Sequence, residues 1–187
     1  MKKKITILVL IMISFIFKAQ TYPLRTYTEV PINAYIKDLD NELVPYEGIW
    51  KGTWNGKTVF IYLKRIKNYF THLENKPYYN DILIGKFKIL NSNGTILFDN
   101  SILSDENVKI KGSRFFSVPN IRYTLNYADP DLCNTSGNII INFIDSSKTQ
   151  LNWKLNLGSN MITTDCQYYN TIPFPQALPK EIILTKQ

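Results

Sequence analysis

The chain has 187 residues, with 22 Lys+Arg against 15 Asp+Glu, one histidine and two cysteines. That length suits one ordinary domain with a buried core. Four of the lysines (Lys2, Lys3, Lys4 and Lys18) and no acid fall before Gln20, so the formal +7 shrinks to 18 against 15, a mild +3 that argues for a solvated mixed surface and against a nucleic-acid groove.

The chain opens Met1-Lys2-Lys3-Lys4, continues as an uncharged apolar run from Ile5 to Phe17, and closes with Lys18-Ala19-Gln20. A basic start, a short apolar core and a small residue at the cut predict a secretory signal peptide over residues 1–19, cleaved between Ala19 and Gln20. The run is too short to span a bilayer, and no later apolar stretch is long enough for a transmembrane helix. No cysteine lies near the cut, so no lipid anchor is expected. The predicted location is outside the cytoplasm: periplasm, cell surface or medium. Residues 20–187 then read as a single β domain. Within it, residues 20–45 carry Pro23, Pro31 and Pro45 and predict an extended flank. Tyr35 to Asp40 is the one place where a helical turn fits.

The strongest local signal follows. Asn55-Gly56 is a two-residue hairpin turn, because both positions accept positive φ. That turn sets Thr53 opposite Thr58, Lys51 opposite Phe60, Ile49 opposite Tyr62 and Glu47 opposite Lys64. The other face carries Trp50, Gly52 and Trp54 against Ile61, Val59 and Lys57, and is the expected core side. Gly52 reads as a spacer between the two indoles or a bend. A second hairpin turns at Asn93-Gly94, pairing Leu90 with Leu97, Ile89 with Phe98 and Lys88 with Asp99. Its strands alternate apolar Leu83, Phe87 and Ile89 with outward Lys86 and Lys88, the half-buried pattern. A third turns at Asp145 to Lys148. An odd loop there pairs Phe143 with Leu151, Ile141 with Trp153 and Ile139 with Leu155, keeping apolar against apolar. Weaker strands are expected at Val108–Phe116, Ile121–Tyr127, Met161–Tyr168 and Glu181–Lys186.

The prediction is an all-β fold of about 8–10 strands, an antiparallel meander closed as a barrel or folded as a β-sandwich. Its expected core is Trp50, Trp54, Ile61, Phe87, Phe98, Phe143 and Trp153. Outward Lys86, Lys88, Asn152 and Lys154 argue against an outer-membrane barrel, whose outer face is apolar. Two cysteines in an oxidising compartment favour a disulfide between Cys133 and Cys166, with two free thiols as the alternative.

Gly48-Ile49-Trp50 at the opening strand resembles the Gly-x-Trp start of the lipocalin and calycin barrels. The resemblance implies a Trp closing one barrel end and a ligand entering at the other. The Lys18-Ala19-Gln20 leader end, the Trp-rich first hairpin Gly48–Asn55, the Gly85-Lys86-Phe87 strand and the closing Leu178 to Lys186 look like a family of small exported Bacteroidota proteins of unknown function. This likeness covers nearly the whole chain and implies export and a β fold.

No catalytic motif assembles. His72 is alone, no Gly-x-Ser-x-Gly elbow exists, and one His with two separated Cys lacks zinc-ligand spacing. No metal and no cofactor are expected. Glu42, Glu47, Asp81 and Asp99 are the carboxylates that would serve a glycosidase if the fold paired them. Asp129-Pro130-Asp131 with Asn134 offers oxygen ligands but not a calcium-loop spacing. Tyr78-Tyr79 and Tyr168-Tyr169 each set one ring on either side of a segment, where an exposed ring can stack on a sugar or line an apolar cleft. The leading expectation is a non-enzymatic exported binding or envelope-associated domain with a small apolar or glycan ligand. A lipocalin-like carrier with an internal cavity comes second, and a hydrolase of envelope polymers third.

Overall fold

The computed structural model describes residues 20–26 and 28–187. The predicted leader and its cut after Ala19 lie outside the described residues. Eleven strands follow in order: β1 (Thr21–Pro23), β2 (Tyr35–Lys37), β3 (Gly48–Trp54), β4 (Lys57–Leu73), β5 (Lys76–Leu90), β6 (Ile96–Asp99), β7 (Ile110–Phe116), β8 (Arg122–Asp129), β9 (Thr135–Phe143), β10 (Gln150–Leu157) and β11 (Glu181–Lys186).

The first hairpin takes its register from its turn. Asn55 and Gly56 both have positive φ (49° and 74°), and Thr53 faces Thr58, Lys51 faces Phe60 and Ile49 faces Tyr62. Beyond Gly48 the pattern changes. Glu47 does not meet Lys64; its carboxylate accepts from the Arg65 backbone N–H at 3.0 Å, while Lys64 pairs with Asp105 at 2.5 Å. The third hairpin has the odd loop, with Phe143, Ile141 and Ile139 facing Leu151, Trp153 and Leu155. Asp145 explains it: its carboxylate accepts from the backbone N–H groups of Thr149 (3.0 Å) and Gln150 (2.8 Å), fixing where β10 begins. In the second hairpin Lys88 faces Asp99 and Ile89 faces Phe98, but a register shift puts Leu90 against Ile96 instead of Leu97.

Antiparallel pairing runs β3-β4-β5, passes from β5 directly to β7, continues through β8, β9, β10 and β11, and returns from β11 to β3. The result is a closed eight-stranded up-and-down barrel, and the sandwich alternative is set aside. Two glycines allow strands to crowd at the closure. A Cβ on Gly85 would stand 3.0 Å from Ile110 of β7, and one on Gly52 would stand 2.7–3.0 Å from Ile182, Ile183 and Leu184 of β11. Gly52 therefore admits a neighbouring strand; it is not a spacer between indoles.

The interior is packed. Trp50, Ile61, Phe87 and Trp153 are buried with Tyr123, Phe115, Leu125 and Ile139, whereas Trp54, Phe98 and Phe143 are half-buried at the margin of this core. β3 and β11 are antiparallel neighbours, so the segments that precede them enter at opposite barrel ends. One end is stoppered by Leu43 and Tyr46: the Trp50 indole N–H donates to the Tyr46 carbonyl at 2.8 Å, and Tyr46 stacks on Phe143 at 4.3 Å. The other is stoppered by Ala177 and Leu178, with the Trp153 N–H donating to the Pro179 carbonyl at 3.2 Å.

Three expectations need correction. Residues 35–40 hold no helical turn; Tyr35–Lys37 is strand β2, and the short 3₁₀ turns are Val44–Tyr46 and Pro130–Leu132. Residues 161–168 form no strand. Turn hydrogen bonds from Cys166 to Thr163 and from Tyr169 to Cys166 coil the chain there, and Cys166 is bonded to Cys133 across 33 residues, with their Cα atoms 5.6 Å apart. The flank is not merely extended chain. β1 pairs with β2 and β2 with β5, both parallel, so part of it joins the sheet.

Candidate functional site

β5 is long enough to serve several partners along one edge: β2 at Tyr79 and Asn80, β7 at Ile84 and Gly85, and β6 at Lys88 to Leu90. Between the β2 and β7 contacts the edge diverges. The flank arches over the gap, leaving a lateral cleft of about 480 Å³ outside the barrel. Its walls are the flank (Leu24, Thr28, Val30, Ile36), the tip of the β4–β5 hairpin (Leu73, Lys76, Tyr78) and the β7 bulge (Ser113, Arg114).

A buried carboxylate holds the flank in place. Asp81, almost wholly buried, accepts from the Tyr35 hydroxyl at 2.5 Å, the Asn68 N–H at 2.9 Å and the Asp38 N–H at 3.0 Å. These donors come from β2, from the bulge in β4 and from the chain beyond β2. Asp38 in turn accepts from the N–H groups of Glu42 (2.7 Å) and Leu43 (3.1 Å) and from Arg65 (3.2 Å). Burial, followed by the Asp81 hydrogen bond and charge, pushes the Tyr35 phenol up to about 12. Across the cleft mouth Glu29 of the flank pairs with Lys76 of the hairpin tip. The Lys76 hydrogen bond and charge hold the Glu29 carboxyl below its ordinary 4.5.

One polar atom behind the cleft wall lacks a partner and is closed off from solvent. Asn80 is 9% exposed, and its carboxamide oxygen accepts no hydrogen bond. Buried polar atoms are normally paired, and leaving one unpaired costs on the order of 1–3 kcal/mol. Beside it Tyr78 is half-buried, and burial raises its phenol above the ordinary 10.0. A depression of about 520 Å³ near the disulfide is comparable in volume, but Asp131, Asn134, Asp165 and Gln167 around it are all exposed. A third cavity of about 210 Å³ lies against the Ala177–Leu178 stopper.

Glu42, Glu47 and Asp81 gather near the flank end of the barrel, but each is tied up: Glu42 with the Arg25 Nε at 2.7 Å, Glu47 with the Arg65 backbone, Asp81 with three donors. Asp99 lies elsewhere, against Lys88 at 3.1 Å. His72 sits exposed on β4 opposite Pro77. Asp129 and Asp131 hold the Lys109 ammonium at 2.5 and 2.7 Å. Among the described residues no cluster of three metal-ligating side chains occurs, and no helix is long and apolar enough to cross a membrane. Tyr78 and Tyr79 do part to opposite faces, Tyr78 into the cleft and Tyr79 edge-on to Phe70 at 5.6 Å. Tyr168 packs edge-on against Phe174 at 5.9 Å, and Tyr169 is exposed. Asn80, Asp38, Tyr35 and Arg65 carried no sequence signal; a polar residue inside a strand pattern shows neither its burial nor its partners.

The chain belongs to DUF6705, a family of unknown function whose model matches residues 1–187. No curated protein and no solved structure is significantly similar to it.

Proposed function

We propose that this protein is an exported, non-enzymatic binding barrel whose ligand occupies the lateral cleft and not the barrel interior. The observation that carries the reading is a lateral cleft of about 480 Å³, with apolar walls and a few polar side chains, beside a filled core. A binding pocket combines apolar walls with a few placed polar groups, and this cleft has both. A lipocalin-like carrier needs an internal cavity, which Trp50, Trp153, Tyr123 and Phe87 occupy. Non-catalytic binding is the simpler reading because the nearby carboxylates already serve structural donors. The Cys133–Cys166 disulfide and the Lys-rich leader support export.

Saturation-transfer NMR with a library of small neutral fragments tests the reading on the exported chain and on Ser113→Trp, which fills the cleft. The reading predicts hits that disappear in Ser113→Trp. Hits unchanged by that variant, or an absence of hits, would overturn it.

A further inference from the structure

Away from the cleft, Lys109 stands one residue before β7 and Asp129 is the last residue of β8. The Ala128 N–H donates to the Lys109 carbonyl at 2.9 Å, so the two side chains leave neighbouring strands close together. Their ends meet where water is scarce. The Lys109 Nζ lies 2.5 Å from the Asp129 Oδ1, the two side chains are 13% and 1% exposed, and Val108 and Ile110 on either side of the lysine are buried. Three further groups surround that contact. The Asp131 carboxylate, open to solvent, lies 2.7 Å from the same Nζ. The Asp131 backbone N–H donates to Oδ1 at 3.1 Å, and the Tyr127 hydroxyl donates to Oδ2 at 2.9 Å. An ion pair needs only its two charges. Here the carboxyl also has a donor on each oxygen, and the amine has a second carboxylate to take its proton.

From this arrangement we propose that Lys109 and Asp129 condense, with no other reactant, into an intramolecular amide that ties the two ends of the β7–β8 hairpin. Holding an amine against a carboxyl in a water-poor site removes the two obstacles to that reaction, lost encounter and competing water. The ammonium carries three protons. One crosses the 2.5 Å contact to Oδ1, leaving a carboxylic acid and an amine. The nitrogen lone pair attacks Cγ, and the Tyr127 hydroxyl holds the charge that develops on Oδ2. Asp131 takes the second proton from nitrogen and gives it to Oδ1. The Cγ–Oδ1 bond breaks, Oδ1 leaves as water, and the third proton stays as the amide N–H. Burial, then the Asp129 charge, raises the Tyr127 phenol above its ordinary 10.0, so it keeps donating. Burial works downward on the Lys109 ammonium, but the hydrogen bonds and charges of Asp129 and Asp131 outweigh it. The resting pair is therefore ionised, and the amide builds up after folding as the first proton crosses. The link reinforces a thin closure, because β7 meets β5 through only two register pairs, Ile84 with Lys111 and Gly85 with Ile110.

The experiment is mass spectrometry of protein expressed from the full chain, with its disulfide reduced, after overnight incubation at neutral pH. The wild type should be lighter than its uncondensed sequence by one water, about 18 Da, and its proteolytic digest should contain a branched peptide joining Lys109 to Asp129. Lys109→Arg keeps the ion pair without the primary amine and should show the full mass. Asp131→Asn and Tyr127→Phe should each slow the loss of water at least about tenfold. Full mass in the wild type would overturn the proposal. So would a loss of water that survives in Lys109→Arg, or a branch that maps to Asp131. Wild-type rates in both Asp131→Asn and Tyr127→Phe would overturn the roles given to those side chains. The wild-type mass decides on its own, so a variant that fails to fold leaves the test intact.

Discussion

Asp81→Asn tests how the cleft is built. The substitution preserves shape but leaves one acceptor oxygen where the carboxylate offers two. The wild-type group receives two backbone N–H donors, from Asn68 and Asp38, and the Tyr35 hydroxyl. Tyr35 can rotate its proton away; the two amides cannot. The new NH₂ must therefore confront one of them. The change forfeits a charge-assisted bond worth roughly 1.5–3 kcal/mol and strands a buried N–H at a further ~1–3 kcal/mol, so about 3–5 kcal/mol is expected. The loss should concentrate in the flank, because Asp81 links β2 and the chain beyond it to β5. Amide exchange reads this directly. The Tyr79 N–H on the Ala34 carbonyl and the Asn33 N–H on the Pro77 carbonyl, both 2.8 Å, report flank attachment. A local loss of ~3 kcal/mol accelerates their exchange about 150-fold. Barrel amides such as those of β9 and β10 should change far less. Asp99→Asn, which removes a partly exposed pair with Lys88, serves as the control and should cost at most ~1 kcal/mol. A cost for Asp81→Asn below ~1 kcal/mol, with unchanged exchange at Asn33 and Tyr79, would refute the reasoning.

Reduction, or the double change Cys133→Ser with Cys166→Ser, opens a loop of 33 residues, worth about 3.7 kcal/mol in the chain-entropy model. At this chain length the melting temperature should fall by about 7–15 °C, and a calorimetric scan with and without reductant shows it. Trp153→Ala removes a fully buried indole and should lower the urea-derived stability by about 3–5 kcal/mol. The acid limb has a worked sign. Glu29 is held below its ordinary value by Lys76, Asp105 by Lys64 and Lys86, Asp145 by the Ser147 and Thr149 hydroxyls; for Asp99, burial works upward but Ser101 and Lys88 outweigh it. Depressed carboxylates stabilise above their unfolded values of about 4 and lose that contribution as pH falls through the folded values. The urea midpoint should therefore hold near neutrality and drop below about pH 4. At the alkaline end, the Tyr35 phenol is raised to about 12, so its contribution is full below its unfolded value of about 10 and lost between the two.

What was legible in the sequence follows from range. Asn55-Gly56 and the Asp145 loop are local devices that set register within a few residues, and both hairpins follow them. A sequence-local meander is also what closes the barrel, because each barrel strand pairs with its neighbour in the chain once β6 is passed over. The parallel β1–β2–β5 pairing was not legible. Tyr35 meets Tyr79 across more than forty residues, and β2 is only Tyr35–Lys37, too short to show an alternation. Residues 161–168 have strand-like composition, but turns and the tie to Cys133 decide their path. The cleft was the least legible of all. Three segments distant in sequence build it, the flank, the β4–β5 hairpin tip and the β7 bulge, and none of them signals the others.

The central claim is that the ligand sits beside the barrel and not within it. An amide chemical-shift titration of isotope-labelled residues 20–187 with a hit from the fragment screen tests this most directly. The account predicts shifts confined to Leu24–Ile36 of the flank, Leu73–Asn80 of the hairpin tip and Ser113–Arg114, all of which vanish in Ser113→Trp. Shifts centred on the interior strands around Trp50, Tyr123 and Trp153, with the cleft silent, would contradict it.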